Sequence, residues 1–100
     1  RIDIGRDCLF SSDIRLATGD SHSIINSEGQ RVNPSRNIHI GDHVWLGNRV
    51  ICLKGATVSD NSVVGAGSIL ISHFDQSNVI IAANPGRVVR TGTSWLRERI

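Results

Sequence analysis

From Ile40 onward every sixth residue is apolar: Ile40, Leu46, Cys52, Val58, Val64 and Leu70. With 39% of the chain hydrophobic, six such hits in a row arise by chance in ~0.4% of trials, so the spacing is a structural signal. Two positions ahead of each stand Ile38, Val44, Val50, Ala56, Ser62 and Ser68, all apolar or small, and Gly41, Gly47 and Gly65 follow three of the main positions. A period of six matches neither the alternation of a half-buried strand nor the 3.6-residue turn of a helix. It suits a short strand plus a bend, three of which close one triangular coil. Stacked coils bury a continuous apolar column, in which each inward residue lies over one 18 positions on, as Ile40 over Val58. Branched Val and Ile suit the strands, and Gly, Asn, Asp and Ser suit the bends. The expected fold is therefore all-β, a parallel β-helix of hexapeptide repeats. Ile4, Phe10 and Leu16 continue the frame toward the N-terminus, and Ala82 and Val88 continue it toward the C-terminus.

Two segments break the rhythm. Residues 17–37, "ATGDSHSIINSEGQRVNPSRN", are polar and contain Gly29 and Pro34, which predicts an excursion loop thrown out of one coil. Long loops on rigid scaffolds tend to carry function. Residues 72–78, "SHFDQSN", precede "VIIAANPGRVVR", where Pro85 and Gly86 end the coil and turn the chain outward. An open end would expose apolar column and unpaired backbone, so Trp95, Leu96 and Ile100 are expected to form a short C-terminal helix or cap.

The 100 residues make one domain, 1–100, and the start on "RIDIG" without a Met is read as the inside of a larger fold whose N-terminal part is missing. A formal charge of +2, spread over scattered arginines, argues against a nucleic-acid partner. No apolar run approaches the ~20 residues of a membrane span, and no signal peptide precedes residue 1. Cys8 and Cys52 lack CxxC spacing and read as reduced thiols of a cytoplasmic protein.

The run "IGDHVWLGNRVICLKGATVSDNSVVGAGSIL" followed by "AANPGRVVR" resembles the hexapeptide-repeat acyltransferases, most of all the galactoside, maltose and capsular-polysaccharide O-acetyltransferases. The likeness covers essentially the whole chain and is strongest over residues 38–90. It implies left-handed coiling, an exception to the right-handed rule for parallel crossovers. It further implies acetyl-CoA as co-substrate, no metal, and a homotrimer with active sites between neighbouring β-helices. The implied reaction is direct transfer of an acetyl group to a hydroxyl of a small-molecule or glycan acceptor, with a capsular or lipopolysaccharide sugar preferred.

The same resemblance assigns residues. His22, in "TGDSHSI", takes the place of the loop histidine that serves as general base, a role that suits an imidazole with its pKa of about 6.5. Asp20 is a candidate to orient that ring or touch the acceptor. Trp45 is a candidate for the acceptor site and for the acetyl and pantetheine end of the cofactor. Asn48 and Ala66 match positions lining the pantetheine groove. Arg87 and Arg90 match basic positions that meet the CoA phosphates, to which guanidinium forks are well suited. Where relatives place a Thr-Lys-Asp step after "GAGS", this chain has Ile71, Ser72 and His73, so a lysine contact is replaced at most in part by His73. An Asn that supports acceptor binding in the family would fall before residue 1.

Three other readings share the fold. An amino-sugar N-acetyltransferase is the nearest, and a non-catalytic trimeric β-helix module would leave His22, Trp45 and the arginines without a use. A γ-class carbonic anhydrase needs three convergent histidines, whereas His39 and His43 sit at different hexad positions and should point apart from each other. Glu28, Arg31 and Arg36 in the loop do not identify an acceptor.

Overall fold

The computed structural model describes residues 1–100 and contains twelve strands and no helix. The first coil supplies β1 (Ile2–Ile4), β2 (Leu9–Phe10) and β3 (Arg15–Leu16). The second supplies β4 (Ile38–Ile40), β5 (Trp45–Leu46) and β6 (Ile51–Cys52), and the third β7 (Thr57–Val58), β8 (Val63–Val64) and β9 (Ile69–Leu70). A fourth begins with β10 (His73–Phe74) and β11 (Val79–Ala82), after which β12 (Arg87–Thr91) turns back. Corresponding strands pair in parallel from coil to coil and form three faces: β1-β4-β7-β10, β2-β5-β8-β11 with β12 at its edge, and β3-β6-β9.

Register follows the period. Ile40 pairs with Val58, Leu46 with Val64 and Cys52 with Leu70, each 18 residues on. Ile4 pairs with Ile40, a step of 36, so the excursion loop adds one coil's length of chain and the inward frame survives it. All six main positions from Ile40 to Leu70 are fully buried, as are the apolar partners Ile38, Val44, Val50 and Ala56. Ser62 and Ser68 are buried too, because their hydroxyls donate to the carbonyls of Asp60 (3.3 Å) and Gly65 (2.7 Å) at the adjoining bends.

The bends need left-handed backbone, supplied mostly by Asp, Asn and Gly and in places by longer polar residues. Asp7, His43, Asn61 and Asn78 occupy equivalent places in one corner, with φ of 58°, 54°, 59° and 60°. Asp13, Arg49 and Gly67 do the same in the next corner. Carboxylates ladder between coils: Asp42 accepts the Arg6 amide at 2.8 Å and Asp60 accepts the Asp42 amide at 2.7 Å. Gly47 is required by close packing, since a Cβ there would stand 2.8 Å from the Ala66 amide nitrogen.

Two expectations change at the C-terminal end. The segment 72–78 is one residue short, so Val64 pairs with Ile81 rather than Ala82. Ile81 is therefore fully buried, Ala82 is only partly so, and Val88 lies exposed on β12 outside the column. No terminal helix forms either. An antiparallel β11–β12 hairpin ends the column, and its turn lies against the last coil, with the Gly86 amide donating to the Ile69 carbonyl at 2.8 Å. A Cβ on Gly86 would run into the Leu70 side chain, so this turn is the cap.

With the end closed, the remaining tail straps the flank. Trp95 is 5% exposed and stacks on His43 with ring centroids 4.0 Å apart. Its Nε1 donates to the His43 carbonyl at 2.7 Å, and Trp45 lies tilted at 6.0 Å. Arg97 sits over the same indole and donates to Asp7 Oδ1 at 2.6 Å and to the Cys8 carbonyl at 3.3 Å. Leu96 and Ile100 remain exposed. A flat indole with one N–H donor gains both apolar contact and a partner on the flank, which explains the preference.

Candidate active site

Residues 17–37 leave the scaffold between β3 and β4 and return through a neck in which the Arg36 amide donates to the Thr18 carbonyl at 2.9 Å. Polar composition does not leave the loop formless. The Val32 amide donates to the Ile24 carbonyl, Ile25 and Arg31 form an antiparallel bridge, and Asn26 Oδ1 gathers the amides of Glu28 and Gln30 around a turn completed by Gly29 at φ 78°. Ile24, Ile25 and Val32 stay exposed, so this small hairpin has no apolar interior.

Its interior is a single amide. Asn33 is 4% exposed while its neighbours on both sides are open to solvent. Its Oδ1 accepts from the Ile24 amide at 2.7 Å and from Arg31 Nε at 3.2 Å, and its Nδ2 donates to Asp20 Oδ2 at 3.0 Å and to the His22 carbonyl at 2.8 Å. Asp20 Oδ2 also accepts from Lys54 Nζ at 2.6 Å, which ties the loop to the bend after β6. The Lys54 ammonium, followed by the Asn33 amide, holds the Asp20 carboxyl below the usual carboxylate range, against a smaller opposing effect of burial.

His22 rides on this assembly. Its amide donates to the Asp20 carbonyl at 2.8 Å, while its ring is exposed and bonds to nothing else in the chain. The Asp20 carboxylate therefore acts on the loop rather than on the imidazole. Beside the loop root, Gly19, Asp20 and Ser21 border an open hollow of about 370 Å³ floored by Ile51, Leu53 and Ile69.

Asn48 and Ala66 come together in a second hollow, of about 460 Å³, at the corner between the second and third faces, with Ser12, Asp13, Arg49 and Gly67. The Asn48 Oδ1 is already engaged by the Ser12 amide and hydroxyl, both at 3.1 Å. Trp45 faces outward from β5 just before this corner and donates from Nε1 to Ser11 Oγ at 3.3 Å. Arg87 and Arg90 are exposed on β12, across from Ala82 and Ile80. His39 is exposed on β4, His43 lies under Trp95 at a bend, and His73 is exposed on β10, so the four histidines occupy separate places.

Within one chain these groups do not converge. His22 lies at one edge of the third face and the hollow with Asn48 and Ala66 at the other, with the outward side chains of Ile51 and Ile69 between them. Sequence reasoning missed Asn33 and Lys54. A faint signal existed for the second, since ten of the eleven basic residues are arginine and Lys54 is the one lysine.

Known proteins share both sequence and shape with this chain. It is 37% identical over 91 residues to galactoside O-acetyltransferase of Escherichia coli K12, a match covering 89% of this chain and 43% of that enzyme. The crystal structure of the polysialic acid O-acetyltransferase OatWY superposes with a TM-score of 0.95 at 36% identity over 99% of this chain and 47% of that one. Galactoside acetyltransferase in complex with coenzyme A superposes with a TM-score of 0.77 at 34% identity, over 90% of this chain and 44% of that one. The chain thus spans less than half the length of these relatives. No protein-family model matches it.

Proposed function

We propose that the chain, a member of the hexapeptide-repeat acyltransferase superfamily with its left-handed parallel β-helix, forms the β-helical part of an acetyl-CoA-dependent O-acetyltransferase acting on a sugar or glycan hydroxyl. The observation that carries this reading is the solvent-facing imidazole of His22 on a loop whose backbone is tied down at Asn33 and Lys54. A neutral imidazole there takes the proton of the acceptor hydroxyl as its oxygen attacks the thioester carbonyl. The C–S bond then breaks, an acetyl ester forms, and the imidazolium returns the proton to the departing CoA sulfur.

Asn48 and Ala66 line the groove for the pantetheine arm, Trp45 borders its acetyl end, and Arg87 and Arg90 meet the phosphates. His22 and this groove stand on opposite edges of one face, so the reading places each active site between two β-helices of a homotrimer. One chain supplies the histidine and its neighbour the groove. The same reading places the enzyme in the cytoplasm, the compartment that supplies acetyl-CoA.

Calorimetric titration with acetyl-CoA, followed by release of CoA thiol with a galactoside or oligosialic acid as acceptor, tests the proposal. Saturable binding weakened by Arg90→Ala, and turnover lowered about 10²-fold or more by His22→Ala with binding unchanged, are the expected results. Turnover of His22→Ala within about threefold of the parent removes the general base, and absence of binding by an assembled trimer removes the activity.

A further inference from the structure

We infer that Asn33, together with the Asp20–Lys54 pair, is the positioning device for His22, an inference that rests on the reading of His22 as general base. An asparagine side chain has two N–H donors and one carbonyl oxygen with two lone pairs. Asn33 uses all four, and it is the one buried residue of a loop with no apolar interior. A group that is desolvated and fully bonded is held far more firmly than the exposed hydrogen bonds around it.

What it holds is the backbone of the histidine. The His22 carbonyl is fixed by Asn33 Nδ2, and the His22 amide is fixed by the carbonyl of Asp20, whose own carboxylate is fixed by Asn33 and Lys54. Both peptide groups flanking the His22 Cα are therefore anchored, and the ring retains only its side-chain torsions. Lys54 belongs to the bend after β6, so the chain of contacts ends on the rigid column and not on another part of the loop. General-base catalysis depends on such placement, since an error of ~1 Å in a reacting group lowers turnover on the order of 10²-fold. None of these contacts reaches the hollow of Asn48 and Ala66, so positioning of His22 is separable from cofactor binding.

The test is kinetic and uses two substitutions in two backgrounds. Asn33→Asp keeps the shape and both acceptor positions but removes both donors and sets a second carboxylate beside Asp20. Lys54→Met removes the ammonium and leaves the buried amide in place. With acetyl-CoA and the same acceptors, Asn33→Asp is expected to lower kcat ~30- to 100-fold and Lys54→Met ~10-fold, each with the KM for acetyl-CoA within about twofold of the parent. In the His22→Ala background the same substitutions should change residual turnover by less than about twofold, because they act through the missing ring. Amide exchange at Ile24, whose N–H is held by the Asn33 oxygen, should rise at least about tenfold in Asn33→Ala, which removes that acceptor.

An equal loss in both backgrounds would make the clamp merely structural and overturn the inference, as would parental kcat in both single variants. If His22→Ala itself keeps parental turnover, the general-base reading falls and the inference falls with it. Faster exchange at Ile24 in Asn33→Ala would then identify that failure as one of function and not of the clamp.

Discussion

Residues 38–70 and residues 17–37 adjoin in the chain and are ordered by opposite means. In the column the same decision is made every six residues, and the buried side chains stack on equivalents in the neighbouring coils, as Leu46 on Val64 and Cys52 on Leu70. In the loop the decision is made once, by Asn33, with Asp20 and Lys54 as its link to the scaffold. The first kind of order is redundant, non-directional and scales with buried area. The second is directional and fails when one donor is lost. A scaffold of the first kind and a loop of the second allow the loop to vary without disturbing the fold.

The largest expected effect lies in the column. Leu46→Ala should lower global stability by about 3 kcal/mol in urea unfolding, because a close-packed stack cannot collapse around the void. Cys52 supplies an independent readout: burial pushes its thiol up to about 12, so alkylation should wait for global unfolding and accelerate in Leu46→Ala. Rapid alkylation of Cys52 in the native parent would break the contrast. The strap is intermediate. Trp95→Ala removes the stack on His43 and the bond to its carbonyl and should cost about 2 kcal/mol, less than a core tryptophan because water reaches the vacated flank.

Asn33→Ala should shift global stability by less than about 1 kcal/mol, since the opened loop passes its donors to water, while amide exchange at Ile24 rises sharply. A global loss comparable to that of Leu46→Ala would show that loop and column unfold as one unit. The smallest effect is that of acid. The folded pKa of Asp20 is depressed, so its tie to Lys54 and Asn33 contributes fully above the ordinary carboxylate pKa and is lost as pH falls through the lowered value. Below about pH 4, protection of the Ile24 amide relative to its intrinsic exchange rate should begin to fall while protection in β5 and β8 stays constant. Lys54→Met should abolish most of that pH dependence.

How much of this was legible beforehand follows from the range of each interaction. The column was readable because its period appears in local spacing and its register is that period multiplied by three. Ile81 was misplaced because the coil steps after Leu70 are irregular, 16 residues from Val58 to Phe74 and 17 from Val64 to Ile81, and the net loss of one residue leaves no mark in composition yet turns the inward frame by one position. Trp95 was assigned to the open end, although its partner is a carbonyl 52 residues away on the flank, and nothing near Trp95 in the chain encodes that partner. In the site, Asn48 and Ala66 share a hollow because they are one coil apart, which the repeat implies. Asn33 was not distinguishable from Asn26 or Asn37, since all three sit in polar surroundings and only one is enclosed by the return of the loop.

The roles considered for His22, Asn48, Ala66 and the arginines came from resemblance to a family; by itself the sequence determined the coil, its inward residues from Ile40 to Leu70 and the place of the excursion loop. These depend on the hydrophobic effect and on bend chemistry, both of which act at every repeat and so survive reading one residue at a time. Tertiary structure alone decided the frame slip at Ile81, the hairpin cap, the Trp95 strap, and the enclosure of Asn33 that fixes the backbone of His22. Each of these depends on one directional contact between distant residues, and geometry of that kind exists only once the chain has closed on itself.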